Sequence, residues 1–320
     1  MDRAALILIA VAALCLPHGF AGALADKAAQ AEANQKNFVE GSDGWRFLPG
    51  ELRFADKLAS PEISVLTETA VRTIADFSAQ LKVAGLALLV VPVPPKVLAQ
   101  SQALGIAAEE RDKMKQGWEK IMADLGAKNV QVVDLLSDYS AAAEASFCLR
   151  DTHWSGPGIE KAVQRLAPLM QSAGVAGASQ GDPPPWKETA INGDLGGELE
   201  KIKLRFPPLT GLADTNSSLL LLGDSHVLVF HQGGDLHASG AGLPEQVASV
   251  AGAIPEVIGV RGSGATSSRL QLARKLRAEP DYLAGKKLVL WVFAGREFTE
   301  ADAWKKIPIF PAAKKGEPGG

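Results

Sequence analysis

The stretch "SLLLLGDS" (residues 218–225) is the most informative part of the sequence, because it joins a fully apolar run to a turn and a hydroxyl side chain. A continuous run of leucines is typical of a strand that is buried on both faces of a parallel sheet. Gly223 permits a tight turn after this strand, and a serine at such a turn can expose its hydroxyl group. Because sites in open α/β sheets form at the carboxyl ends of strands, Ser225 is a candidate nucleophile. A plain Gly-Asp-Ser turn is the alternative.

Further apolar runs alternate with segments of helical periodicity along the chain. Strands are predicted at residues 86–93, 130–135, 256–260 and 287–293. Apolar residues at helical spacing predict helices at residues 61–83, 114–125, 159–170, 244–252 and 268–277. This alternation predicts a three-layer α/β/α sandwich with a mostly parallel sheet. Residues 179–199, which include three consecutive prolines, are interpreted as a loop inserted over one face, and residues 40–54 as a turn-rich entry into the domain.

The overall composition is that of an ordinary globular protein. The chain has 320 residues, of which 47% are hydrophobic and 22% are charged, and its formal net charge is -3. The charges are nearly balanced and form no basic stripe, so nucleic-acid binding has no support. One domain is predicted over residues 26–310, followed by a disordered tail at residues 311–320.

The N-terminus has the layout of a secretory signal peptide. An apolar run at residues 4–16 is followed by Ala-Leu-Ala at residues 23–25, and the run is too short for a comfortable membrane span. Residues 1–25 are therefore predicted to direct export to the periplasm, either as a cleaved signal or as an uncleaved inner-membrane anchor. Cleavage would leave Cys148 as the single cysteine, which precludes an intrachain disulfide and suits a bacterial periplasm. Cys148 itself is interpreted as a small buried residue.

The segment "FCLRDTHWSGPG" (residues 147–158) offers an acid–base pair. A serine hydroxyl is a weak nucleophile unless a neighbouring base takes its proton, and His153 is the candidate base. Asp151 lies two residues earlier, so in an extended segment its carboxylate can hold one imidazole nitrogen while the other faces Ser225. A surface turn without a catalytic role is the alternative. Trp154 is expected to pack in the core, with a sugar-binding role as the alternative.

The other histidines fit a catalytic role less well. His226 directly follows Ser225, so the two side chains are expected to diverge, and His231 and His237 are interpreted as solvated residues of a glycine-rich loop. The pattern Asp-x-His also occurs three times, at residues 151–153, 224–226 and 235–237. Such pairs could hold a divalent metal in a hydrolase, but their spacing lacks the order of known metal sites. No metal and no cofactor is predicted, and the metal hydrolase remains the minority alternative.

Several motifs together resemble a known family. The chain resembles, over roughly residues 40–299, the SGNH-hydrolase-like domain of the alginate O-acetylation proteins, the AlgJ/AlgX family. The order of Asp and His before Ser, reversed relative to ordinary SGNH esterases, is shared with that family. The carbohydrate-binding module of AlgX is not expected here, which makes single-domain AlgJ the closer match. The motifs, in chain order, are "EGSDGWRFLPGELRF", "LLVVPVPPKVL", "DTHWSGPG", "GDLGGEL", "LLLGDSHV", "AGLPEQVASVAG" and "LVLWVFAGREFT".

The resemblance implies a periplasmic enzyme that acts on acetyl groups of an exopolysaccharide. Carried over to this chain, Ser225 would be the nucleophile, His153 the base and Asp151 its orienting residue. Arg261 is a candidate for binding the oxyanion or the substrate, beside the backbone N–H of Ser225, and Arg296 matches a recurring family position that an ion pair explains equally well. The implied partners are a polysaccharide acceptor and a membrane-bound O-acyltransferase that supplies acetyl groups.

Three functions remain open at this point. An O-acetyltransferase would pass the acetyl group from Ser225 to a sugar hydroxyl, whereas an acetylesterase would pass it to water. The two share one set of residues and differ in water exclusion and acceptor binding. A non-catalytic glycan-binding scaffold would keep the fold without needing the three residues.

Overall fold

The computed structural model describes residues 22–141, 144–175, 182–209, 217–262, 264–301 and 304–310. Most of the predicted signal segment and the whole predicted tail lie outside the described residues, so cleavage after residue 25 and the disordered tail stay predictions. The first described helix begins at Ala23, and Leu24 is buried. Within the described ranges, every helix is too short or too polar to cross a bilayer.

The helices and strands alternate along the chain as the sequence predicts. The strands are β1 Val39–Glu40, β2 Arg46–Phe47, β3 Ala87–Val93, β4 Gln131–Val132, β5 Lys187–Ile191, β6 Glu200–Leu204, β7 Leu219–Gly223, β8 Glu256–Gly259 and β9 Leu288–Ala294. The helices are α1 Ala23–Ala33, α2 Pro49–Leu58, α3 Ile63–Val83, α4 Lys96–Ala99, α5 Ala108–Gly126, α6 Leu136–Ser140, α7 Gly156–Ser172, α8 Ser225–Leu228, α9 Leu243–Ala251, α10 Gly264–Ala278 and α11 Glu297–Glu300.

The central sheet has five strands in the order β4-β3-β9-β7-β8, and every neighbouring pair in it is parallel. Four of the five strands fall within the predicted apolar runs, and β9 extends one residue beyond its run, to Ala294. The sheet places β9 at its centre and β7 beside it, where both faces are covered, and this explains why the two sequences are apolar throughout. The predicted three-layer fold with a parallel sheet is confirmed.

Successive side chains of the central strands enter two separate cores. Leu220 and Leu222 of β7 pack with side chains of α2, α3, α5 and α10, whereas Leu219 and Leu221 pack with side chains of α7 and α9. This alternation follows from the two-residue repeat of a strand. Each buried leucine side chain contributes about 1.5–3 kcal/mol by leaving water, so the four leucines fix the strand between both helical layers.

Two segments are more regular than the sequence predicts. The prediction of a loop at residues 179–199 is wrong at Lys187–Ile191, because β5 lies there and pairs with β6 as an antiparallel hairpin, with Thr189 opposite Ile202. The hairpin escapes prediction because half of its strand residues are charged, so it lacks an apolar run. Likewise, residues 40–54 are not only turns, since α2 begins at Pro49, where proline suits the first helical turn.

Candidate active site

Ser225 stands at the carboxyl end of β7, where the chain turns sharply into α8. Gly223 lets the end of β7 lie close against β9, because a Cβ atom there would lie 2.3 Å from the carbonyl oxygen of Val292. The carboxylate of Asp224 caps the turn by accepting the N–H of His226. Since the first N–H groups of a helix have no partner inside it, the N–H of Ser225 is available to an incoming group.

The structure brings the three predicted site residues together although His153 and Ser225 are far apart in sequence. His153 Nε2 lies 2.7 Å from Ser225 Oγ, and His153 Nδ1 lies 2.6 Å from Asp151 Oδ1. The backbone N–H of His153 also donates to Asp151 Oδ1, at 2.9 Å. This is the hydrogen-bonded order of nucleophile, base and orienting carboxylate. The catalytic roles of the three residues stay predictions.

The segment that carries Asp151 is held by a buried charge from elsewhere in the chain. Lys96 is fully buried, and its ammonium group donates to the carbonyl oxygens of Arg46, Leu149 and Asp151 at 2.7, 3.1 and 3.0 Å. Burial lowers the pKa of Lys96, and neighbouring carboxylates oppose that shift. These three hydrogen bonds satisfy the ammonium group, so Lys96 fixes the main chain at the site.

The β5–β6 hairpin supplies a second support, which the sequence did not predict. Asp194 accepts the N–H and the hydroxyl of Thr152 at 2.8 and 2.6 Å, and its own N–H donates to Asp151 Oδ2 at 3.0 Å. Gly193 allows this approach, because a Cβ atom there would lie 2.1 Å from the carbonyl oxygen of Arg150. The motif "GDLGGEL" was the available signal, but an isolated sequence does not show which segment its aspartate contacts.

Glu200, the first residue of β6, completes that support. Its carboxylate oxygens accept the N–H groups of Leu149 at 2.6 Å and Arg150 at 2.9 Å. The hairpin therefore binds the backbone both before and after Asp151. A segment held at so many points keeps its side chains in one arrangement.

The electrostatic environment keeps Asp151 charged and makes His153 a stronger base. Burial raises the pKa of Asp151, but hydrogen bonds from His153 and His237 outweigh it and hold that pKa well below its usual range. Burial lowers the pKa of His153, and the hydrogen bond and charge of Asp151, together with the charges of Asp194 and Asp224, reverse this and raise it. The arrangement favours a proton moving onto His153.

The residues face a cleft of about 1090 Å³ between the sheet edge, the β5–β6 hairpin and the loop after α8. Arg261 and Arg296 both line it. Arg261 is about half exposed and forms an ion pair with Asp235, while Arg296 lies 3.8 Å from Glu51. Both arginines can therefore meet a bound substrate, and their predicted roles stay predictions.

Trp154 does not line the cleft. Its side chain is 0% exposed and packs edge-on against the ring of His226, with centroids 5.4 Å apart. Its candidacy as a substrate-binding residue is therefore wrong, because a fully buried indole has no face to offer a sugar ring. Cys148 is likewise buried, and burial raises the pKa of its thiol well above the usual value, which agrees with a structural role.

The prediction that His231 and His237 are solvated is wrong. The side chain of His237 is only 6% exposed, and its Nε2 atom lies 2.8 Å from Asp151 Oδ2. His231 is partly buried, with its Nδ1 atom 2.6 Å from Glu245 Oε1. The glycine-rich loop folds back over the site, which composition alone does not show. His226 behaves as expected, since its Nδ1 atom contacts Asp224 and not Ser225.

The minority metal alternative has one focus among the described residues. Asp151, His153 and Asp194 bring ligand atoms within 4.8 Å of one another. Their carboxylate oxygens already accept hydrogen bonds from Thr152, His153 and His237, and from the backbone of Asp194. Among the described residues, the other two Asp-x-His units add no ligand to this group, so the hydrogen-bonded serine site accounts for the geometry more simply.

Comparison with known proteins agrees with this fold. The family model described as "SGNH hydrolase-like domain, acetyltransferase AlgX" matches residues 38–205, which is just over half of the chain. The match includes Asp151 and His153 and ends before Ser225. No curated protein sequence matches the chain significantly.

Solved structures share the fold at low sequence identity. The O-acetyltransferase domain of Pseudomonas putida AlgJ is 20% identical with a TM-score of 0.61, and the alignment covers 83% of this chain and 94% of that one. Pseudomonas aeruginosa AlgX is 16% identical with a TM-score of 0.52, covering 83% and 67%. Bacillus cereus PatB1 with a sulfonyl adduct is 11% identical with a TM-score of 0.56, covering 82% and 96%. At these identities the similarity shows the fold alone, and AlgJ is the closer match of the two alginate proteins.

Proposed function

Since the chain belongs to the family of SGNH hydrolase-like domains of the AlgX acetyltransferase type, we propose that it is a periplasmic O-acetyltransferase. In this proposal an acetyl group passes through an acyl-enzyme on Ser225 to hydroxyl groups of an exopolysaccharide such as alginate. The observation that carries the proposal is the 2.7 Å contact between His153 Nε2 and Ser225 Oγ, with Asp151 on the other imidazole nitrogen.

The first half-reaction forms the acyl-enzyme. Asp151 is ionised, so it accepts the Nδ1–H of His153, and Nε2 is left free to accept a proton. His153 takes the proton of Ser225 Oγ as that oxygen attacks the carbonyl carbon of an acetyl ester. The negative charge that develops on the carbonyl oxygen is stabilised by N–H donors, for which the N–H of Ser225 is placed. The donor's alcohol oxygen then leaves with the proton from His153 Nε2, and acetyl-Ser225 remains.

The second half-reaction runs the same steps in reverse with a new alcohol. A sugar hydroxyl enters the cleft, loses its proton to His153 Nε2 and attacks the acetyl carbon. Ser225 Oγ leaves and recovers the proton from His153. Bonds and protons balance over the cycle, so no cofactor is needed. If water takes the place of the sugar, the same residues perform hydrolysis, and the alternative acetylesterase results.

The proposal also includes the source of the acetyl groups and the location of the protein. The apolar run at residues 4–16 and the Ala-Leu-Ala pattern at residues 23–25 support export. The periplasm has no supply of cytoplasmic acetyl-CoA, and a membrane-bound O-acyltransferase would therefore deliver the acetyl groups. N-terminal sequencing of periplasmic material is expected to begin near Asp26. Intact chain in the inner membrane would select the anchored form, and soluble cytoplasmic chain with Met1 would contradict export.

The acyl-enzyme is the decisive test. Incubation with 4-nitrophenyl acetate is expected to add one acetyl group to the peptide that contains Ser225, detected by mass spectrometry. Ser225→Ala should remove the label and the turnover. Ser172→Ala is the matched control, because its hydroxyl bonds to Pro168 O on the exposed side of α7. Full activity of Ser225→Ala would contradict the serine mechanism.

Addition of an acceptor separates the transferase from its alternatives. Oligosaccharides of the exopolysaccharide are added to the acyl-enzyme, and acetylated oligomer and free acetate are quantified. Transfer is supported if acetylated oligomer forms faster than acetate. Free acetate alone with every acceptor would establish the esterase, and binding of oligomers without an acyl-enzyme would establish the non-catalytic scaffold.

A further inference from the structure

We propose that His237 is a positioning residue that fixes the carboxylate of Asp151 and, through it, the orientation of the base His153. The inference rests on the proposed serine mechanism. His237 Nε2 lies 2.8 Å from Asp151 Oδ2, and its side chain is only 6% exposed. The hydrogen bond is therefore largely shielded from water, and its effect on a charged partner is large.

The carboxylate of Asp151 is fully occupied, and His237 holds one side of it. Oδ1 accepts hydrogen bonds from the backbone N–H and the Nδ1–H of His153, whereas Oδ2 accepts them from the backbone N–H of Asp194 and the Nε2–H of His237. Because two donors grip each oxygen, the plane of the carboxylate cannot rotate without breaking hydrogen bonds. His237 is the only side chain among the described residues that is seen to donate to Oδ2.

The loop after α8 is built to bring His237 to this position. The N–H of Phe230 donates to Leu236 O, and the N–H of Ala241 donates to Phe230 O, at 3.0 and 2.9 Å. The loop is closed by an antiparallel bridge between Gln232 and Ser239. These hydrogen bonds hold the loop in one shape at the point where the histidine turns inward.

The backbone at His237 is strained, and the strain points to a function. His237 has φ 72° and ψ -103°, and Phe230 has φ 59°. A side chain in such a conformation costs about 1–3 kcal/mol, which glycine would avoid. The surrounding glycines, Gly233 and Gly234, show that the loop uses glycine nearby. Glycine at position 237 would relieve the strain but could not donate to Asp151.

The charges around the two histidines set the expected pH behaviour. His237 faces Asp151 and, on its own loop, Asp235, which forms an ion pair with Arg261. His153 faces Asp151, Asp194, Asp224 and the ring of His226.

The hydrogen bond from His237 changes the charge that faces His153. A donor on Asp151 Oδ2 draws negative charge away from Oδ1. Its loss leaves more charge facing His153, so the imidazolium form of His153 becomes more stable and the rate is lost at a higher pH.

The test uses three variants of the full chain, measured with 4-nitrophenyl acetate over a range of pH. His237→Leu removes the donor, and His237→Asn keeps a polar side chain that tolerates positive φ but is too short to reach Asp151. His237→Gln places an N–H at about the depth of the imidazole Nε2 atom. We expect kcat to fall on the order of 10- to 100-fold in the Leu and Asn variants with KM nearly unchanged, because a misplacement of about 1 Å costs that much. Gln should recover most of the loss.

The acidic limb of the rate profile and the His153 proton give independent readouts. In His237→Asn the limb is expected at higher pH than in the wild type. The low-field proton signal of His153 Nδ1–H, measured by NMR, should broaden or shift in His237→Asn and return in His237→Gln. This signal needs no turnover, so it separates failure of the inference from failure of the proposed function. A wild-type rate profile and proton signal in folded His237→Asn would overturn the inference, and so would equal loss in Asn and Gln.

Discussion

Two Asp-x-His units of the chain have nearly the same local geometry, but different residues lie beside their histidine rings. In Asp151/His153 the N–H and the Nδ1 atom of the histidine lie 2.9 and 2.6 Å from Asp Oδ1. In Asp224/His226 the corresponding distances are 2.8 and 2.9 Å. The spacing therefore determines how the carboxylate holds the histidine, and it does so twice, but it does not determine which unit meets a nucleophile.

The difference lies beyond the second nitrogen of each ring. His153 Nε2 reaches Ser225 Oγ at the edge of the cleft. The ring of His226 instead packs edge-on against Trp154 and His153, with centroids 5.4 and 5.1 Å away. Asp224 Oδ2 accepts the N–H of Ala294 in β9, so this unit ties the turn after β7 to the central sheet.

The different surroundings shift the pKa values of the two histidines in opposite directions. Burial lowers the pKa of both rings. For His153, Asp151 with the help of Asp194 outweighs burial, and the pKa is raised. For His226 burial prevails over Asp224 and is reinforced by the positive charge that His153 carries when protonated, so the pKa is lowered. The ring of His153 is therefore the better proton acceptor of the two.

The third unit, Asp235/His237, does not pair internally at all. Asp235 forms an ion pair with Arg261 at the cleft, and His237 turns to Asp151. Three copies of one local pattern thus give a candidate base, a structural link and a bridge between segments. A short polar motif therefore specifies local contacts, whereas its chemical role depends on the residues that the fold places opposite it.

Replacing the two paired histidines should give the largest contrast. His153→Ala is expected to lower kcat with an acetyl ester on the order of 10⁴-fold or more, because Ser225 loses its base. His226→Ala should lower kcat of the folded protein less than about tenfold, while thermal unfolding shows a loss of about 1–3 kcal/mol from the buried hydrogen bond and packing. Equal losses of kcat in two folded variants would contradict the distinction.

Replacing the two aspartates by asparagine should give the same contrast between activity and stability with a smaller change of shape. Asp151→Asn keeps the shape of the site and is expected to lower kcat on the order of 10⁴-fold, because the wrong histidine tautomer is favoured. Asp224→Asn sets an amide donor against the N–H of Ala294 and should cost about 1–3 kcal/mol of stability with a smaller effect on kcat. Stopped-flow acylation and urea unfolding measure the two effects separately. An Asp151→Asn variant that acylates at the wild-type rate would remove Asp151 from the mechanism.

The pH dependence should sharpen the comparison further. His153 acts as a base only when neutral, so kcat/KM is expected to be lost as pH falls through the raised pKa of His153, above the ordinary value of about 6.5. His226 is expected to add no second limb, since its pKa is lowered and it does not contact Ser225. In Asp151→Asn the residual activity should show its acidic limb at lower pH, because the charge that raised the pKa of His153 is gone. A limb that does not move would contradict this assignment.

A chelator should produce the smallest effect. Prolonged dialysis against EDTA is expected to leave the acylation rate unchanged within error, because the carboxylate oxygens of Asp151 and Asp194 are already occupied by hydrogen bonds. Loss of activity with recovery on adding a divalent cation would favour the metal hydrolase, particularly if Ser225→Ala kept its activity.

Part of the site could be predicted from the sequence because its signals are local. The apolar run before Gly223 predicts a buried strand with a turn at Ser225, and a two-residue spacing places Asp151 and His153 on one side of an extended segment. Alternating strands and helices then predict a parallel sheet, which brings the ends of its strands to one edge. These inferences need no knowledge of distant contacts.

The remainder was decided only by the tertiary structure. Lys96, Asp194 and His237 reach Asp151 or its backbone from segments 55, 43 and 86 residues away, and His237 lies in a loop whose composition suggested solvent. Burial of a polar side chain depends on which segment folds over it. The pKa of a buried group then depends on the charged and hydrogen-bonding groups that surround it. The sequence by itself therefore determined the sheet and the local pairing of Asp151 with His153. The packing of distant segments decided which of the three Asp-x-His units faces Ser225, because only that packing sets what lies beyond each imidazole ring.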